Sequence, residues 1–80
     1  MSDPIPVYEI RLHGHLDERR ARQFVGLTTT LLPEGETLLR GPVIDQAALH
    51  GILNRIRDMG VSLVYVRQVE PPSLDGDQEQ

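Results

Sequence analysis

The stretch Asp45-Gln46-Ala47-Ala48-Leu49-His50-Gly51-Ile52-Leu53-Asn54-Arg55-Ile56-Arg57-Asp58-Met59-Gly60 decides the fold. Ala48, Leu49, Ile52, Leu53, Ile56 and Met59 recur at i, i+3 and i+4, which lays one apolar stripe along a helix. Asp45 stands where an N-cap belongs, because a short carboxylate accepts the unpaired N–H groups of a first helical turn. Gly60 supplies the stop, since glycine enters the left-handed conformation without steric penalty. A helix between these two caps needs a sheet to cover, and the flanking sequence provides one.

Downstream, Val61 to Val69 reads as a strand with the uninterrupted apolar run Leu63-Val64-Tyr65-Val66. Upstream, Gly41-Pro42 ends a strand over Thr37 to Arg40, and the turn Pro33-Glu34-Gly35-Glu36 joins it to a β-branched strand over Leu27 to Leu32. Val7 to Leu12 alternates cleanly, with Tyr8, Ile10 and Leu12 on one side and Glu9 and Arg11 on the other. Between Gly14 and Gly26, Leu16 to Val25 reads as a short helix with Asp17 and Glu18 in its first turn. The order is β-α-β-β-α-β. It predicts an α+β, ferredoxin-like βαββαβ sandwich: an antiparallel four-stranded sheet in the order 4-1-3-2, with two helices on one face.

The expected domain is residues 7–69. Residues 1–6, with Pro4 and Pro6, read as a flexible N-terminal tail, and residues 70–80 as a disordered acidic C-terminal tail. The 80 residues carry 12 acids against eight basic residues, all Arg, for a net charge of −4. All eight Arg but only seven acids fall within 7–69, so the domain itself is +1 and the acidity is a fringe. There is no Cys, which excludes a disulfide scaffold and a thiolate zinc site. No apolar run nears the roughly 20 residues that span a bilayer, and the acidic N-terminus lacks signal-peptide design. The expected location is therefore the cytoplasm. Three aromatics in the chain, and none among the outward residues of the first and third strands, argue against nucleic acid as a partner.

Candidate sites are few. His13 and His15 are two apart, and on an extended chain they share a side, which makes them a candidate metal pair with Asp17, Glu18, Glu34 and Glu36 as nearby oxygen donors. The competing reading is a polar loop entering a helix. His50 falls on the polar edge of the second helix, at the other end of the sheet. Glu9 and Arg11 lie on the open face of a central strand, where Arg40 and Arg67 on its neighbours approach them. Two readings fit: an ion-pair lattice, or recognition of an anionic ligand by Arg forks. No phosphate loop, dinucleotide fingerprint or nucleophile elbow is present, and no cofactor is expected.

The fourth strand does not alternate, and Leu31-Leu32 and Leu38-Leu39 are adjacent apolar pairs. Apolar residues thus fall on both sides of the sheet, and so small a domain gains much from added burial, which leads us to expect a homo-oligomer, dimeric or higher.

The segments Gly14-His15-Leu16-Asp17, Gly26-Leu27-Thr28, Gly41-Pro42-Val43-Ile44-Asp45-Gln46-Ala47-Ala48-Leu49-His50-Gly51 and Ile56-Arg57-Asp58-Met59-Gly60 resemble a family of short uncharacterised bacterial proteins. The resemblance spans nearly all of 7–69 and is most specific over Gly41–Gly51; Arg20 and Gln23 depart from it, standing where relatives are expected to carry aromatics. It implies a free-standing bacterial domain and carries no functional residue across. The expected function is a non-enzymatic, self-associating protein-interaction or regulatory module. A sensor of small anionic ligands, and a small metal-dependent enzyme at His13 and His15, are the alternatives.

Overall fold

The structure is a computed structural model and describes residues 5–69. Both expected tails fall largely on residues 1–4 and 70–80, outside the described residues. The elements run β1 (Val7–His13), α1 (Glu18–Ala21), β2 (Thr28–Leu32), β3 (Glu36–Pro42), α2 (Gln46–Met59) and β4 (Ser62–Val69). The fold is α+β: one open antiparallel sheet of four strands with two helices. The sheet order is β2-β3-β1-β4; counted from the β4 edge, the strands run 4-1-3-2.

Helix α2 forms between the two expected caps. The Asp45 carboxylate accepts from the Ala48 N–H at 2.8 Å, and Gly60 closes the helix at φ +75°, donating to the carbonyls of Arg57 and Ile56. Leu49 and Ile56 are buried, with Ala48, Ile52, Leu53 and Met59 packed beside them. They meet Ile10 and Leu12 of β1 and Leu39 of β3, which share one face because Ile10 lies opposite Leu39 in the register.

The first helix is shorter than the sequence suggests. Instead of Leu16 to Val25, only Glu18–Ala21 is helical, and no residue within it is buried. The core contacts come from its flanks, Leu16 and Phe24, at 4% and 3% exposure. Arg19, Arg20, Arg22 and Gln23 leave no continuous apolar stripe, so nothing holds a longer helix against the sheet. A single turn capped by the Asp17 carboxylate, which accepts from the Arg20 N–H at 2.9 Å, delivers both flanking side chains to the core.

One buried polar side chain fastens this connection. Thr37 on β3 is fully buried; its hydroxyl donates to the Gly14 carbonyl at 2.6 Å and accepts from the Leu16 N–H at 3.3 Å. At the other end of α1 the chain crosses β3 at Gly41, where a Cβ would stand 2.7 Å from the Gly26 carbonyl oxygen and from a Leu27 methyl. Glycine at 41 is a clearance requirement.

The fourth strand breaks alternation for a local reason. The β1–β4 register shifts between Arg11 and Leu12, so Arg11 faces Tyr65 while Leu12 faces Leu63, with Val64 as the extra residue. This bulge carries the apolar run past the sheet without a second buried face along its length. Tyr65 lands on the open side and Val66, opposite Ile10, on the core side.

Candidate functional site

Two places on the molecule gather chemistry, one on each side of the sheet. The open face carries Glu9, Arg11, Arg40 and Arg67, all four of the residues expected there. Glu9 lies opposite Arg40 on β3 and opposite Arg67 on β4. Arg67 donates through Nε at 3.0 Å and through Nη2 at 2.9 Å to Glu9 Oε1, and Arg40 Nε approaches Oε2 at 3.8 Å. Glu9 is therefore held between two cations and is only 14% exposed at its side chain. Its hydrogen bonds and charge, followed by the charge of Tyr65, raise the Arg67 guanidinium above its ordinary pKa.

Arg11 extends the lattice. Its guanidinium lies 5.6 Å from the centroid of the Tyr65 ring, on which Arg67 also rests at 5.5 Å. Arg11 Nε sits 3.4 Å from Glu36 Oε1, but the geometry is off-line, and this buried N–H has no hydrogen-bond partner. From the sequence alone β4 allows Leu63 and Tyr65 to face outward, or the reverse; Tyr65 lies two residues before Arg67 in unbroken register with β1, and so shares its open face.

The histidines are not brought into one constellation. Gly14, at φ +118°, turns the chain between them, so the extended-chain spacing does not apply. His13 ends β1 opposite Glu36 and Ser62, while His15 Nε2 donates to the Leu32 carbonyl at 3.0 Å. Three of the four nearby acids have other partners: Asp17 caps α1, Glu18 pairs with Arg22 at 3.8 Å, and Glu36 with Arg11. Among the described residues no group of three or more His, Asp or Glu is placed to hold a metal ion. His50 is exposed on α2.

The second place is an open groove of about 530 Å³ on the helix side. Its walls are the 23–27 connection, the end of β3 with Val43 and Ile44, and the α2 stripe Ala48, Gly51, Ile52 and Arg55. Ile5 closes one end; next to it the Pro6 carbonyl accepts from Val43 N–H at 2.9 Å, tying the entering chain to the groove. Three of the exposed large apolar residues line it: Val25 at 91%, Ile44 at 69% and Ile5 at 48%. Gln23 and Arg55 are its polar side chains. The sequence reading did not find this groove. Its one available signal was Gly51, a glycine inside a strong helix.

The family model for Domain of unknown function (DUF8691) matches residues 7–67. The chain belongs to this family. The match begins at the first residue of β1 and ends at Arg67, the partner of Glu9, so the DUF8691 region holds the whole open-face lattice and every groove residue except Ile5. No curated protein and no solved structure matches the chain. Among the described residues no helix is long and apolar enough to cross a membrane.

Proposed function

We propose that the chain is a small, non-enzymatic, self-associating interaction module of ferredoxin-like topology, acting in the bacterial cytoplasm. The observation that carries this reading is the β2 edge. Thr28–Leu32 is an outer strand with neither charge nor proline, and Leu31, on the face it shares with Thr37, is 55% exposed. Outer strands of soluble proteins are commonly blunted by charge, proline or a bulge, since their free N–H and C=O groups template pairing. β2 has none of these devices, whereas β4, the other edge, carries Arg67 and a bulge. A second copy laid antiparallel along β2 would extend the sheet and cover Leu31 on both chains. A domain of about 60 residues buries only about 60% of its unfolded surface, so this added burial is valuable.

Light scattering after size exclusion tests it. The expected mass is a multiple of the 9.0 kDa monomer, and Leu31→Lys, which places charge on the edge, should return the monomer. A wild-type monomer at high concentration overturns the reading.

The alternative, a sensor of small anions on the open face, is supported by one observation: Arg11 Nε is buried without a hydrogen-bond partner, and Arg67 rests on the same Tyr65 ring. The hold of Arg40 and Arg67 on Glu9 weighs against it, because an anion there must displace a carboxylate already bound.

A further inference from the structure

We propose that the groove between α2 and the 23–27 connection binds an amphiphilic acid: an apolar chain or ring ending in one carboxylate, with Arg55 as its counter-charge. The site is separate from the β2 edge and does not depend on the self-association reading. Its volume of about 530 Å³ falls within the range of small-molecule sites, roughly 300–1,000 Å³, and such sites combine an apolar lining with a few placed polar groups.

Charge complementarity fixes the class of ligand. Among the described residues no acid lines the groove, and Arg55 is the one charged residue in its lining. Among the described residues Arg55 makes no ion pair, whereas Arg57 on the same helix pairs with Asp58, and Arg11, Arg40 and Arg67 on the sheet pair with acids. A guanidinium at the end of an apolar trough fits one anionic head on an apolar body. Gln23 offers an amide to the same head.

Gly51 points to the same occupant. It lies inside α2, on the Ala48–Arg55 side, where glycine weakens a helix by about 1 kcal/mol relative to alanine. Among the described residues nothing requires it there: its φ is ordinary, and a Cβ would meet no atom within 4 Å. Gly41, by contrast, is demanded by its neighbours. An absent side chain with empty space above it deepens the groove floor under an occupant. Val25 and Ile44 then stand exposed because the apolar body that covers them is the ligand.

Sodium decanoate, kept below its micellar concentration and titrated into the full chain while amide NMR spectra are recorded, tests this. Saturable shifts confined to Val25, Ile44, Gly51 and Ile52 are expected, with decanol shifting the same amides. Arg55→Gln should weaken decanoate about fivefold, the scale of one exposed ion pair, and leave decanol unchanged. Gly51→Leu should abolish both while the sheet amides hold their positions. If Gly51→Leu disturbs the fold, Gly51→Ala should still weaken both ligands. The proposal fails if decanoate gives no saturable shift, if shifts gather on the open face, or if Arg55→Gln affects decanol equally. It fails too if the groove amides shift with protein concentration alone and decanoate does not compete, since the groove is then filled by a second copy. A dimer whose mass decanoate leaves unchanged keeps this test separate from that of the β2 edge.

Discussion

Thr37 and Gly14, 23 positions apart in the chain, are joined by a hydrogen bond of 2.6 Å from the threonine hydroxyl to the glycine carbonyl. The same hydroxyl accepts from Leu16, so one oxygen satisfies two backbone groups where the chain leaves β1 for α1. Thr37→Val keeps the shape and strands both groups, and unmet buried groups cost about 1–3 kcal/mol each. We expect urea unfolding to show a loss of about 1–3 kcal/mol, because Gly14 lies near enough to the surface for partial rehydration. A loss under a few tenths would show that the hydroxyl is replaceable.

The two buried-site and open-site glycines should respond oppositely. Gly41→Ala drives a methyl against the Gly26 carbonyl and Leu27, and overpacking of this kind costs about 1–3 kcal/mol. Gly51→Ala meets open space and should stabilise α2 by about 1 kcal/mol. Thermal melts of the two variants against wild type read the contrast directly.

Asp45→Ala removes the carboxylate that accepts from Ala48, with an expected loss of about 1 kcal/mol. Asp45→Asn retains a capping oxygen and should recover most of it. If both variants melt together, the cap is not what starts α2.

Glu9→Gln leaves Arg11, Arg40 and Arg67 on one face with Glu36 as the remaining acid of the lattice. The melting temperature should fall at low salt, and added salt should narrow the gap to wild type as repulsion among the guanidinium groups is screened. A gap that widens with salt would contradict the lattice.

The sequence disclosed the elements whose pattern is self-contained. α2 carries its own stripe and both caps, and β1 alternates without a fault, so both were legible. Leu16 to Val25 was over-read as a helix because its ends, Leu16 and Phe24, are apolar while its middle is not. Only the structure shows that a one-turn helix suffices to bury both. The open-face lattice was legible for Glu9, Arg11, Arg40 and Arg67 because antiparallel neighbours follow from strand order. Tyr65 was legible only as one of two alternatives, since four consecutive apolar residues do not say which pair faces the helices and the bulge at Val64 has no sequence mark. The groove was hidden for another reason: its walls come from three separated segments, and no local pattern announces their meeting.

The position of β1 sets the order in which this molecule can become itself. The strand made first is central, and its register with the last joins Val7 to Val69. During synthesis β1 must wait for nearly the whole domain before both its edges are paired. Only the β2–β3 hairpin and α2 are local enough to form beforehand. A nascent chain halted before Ser62 presents β1 as a bare edge, with Glu9 lacking its Arg67 partner. Distant pairings of this kind favour slow folding.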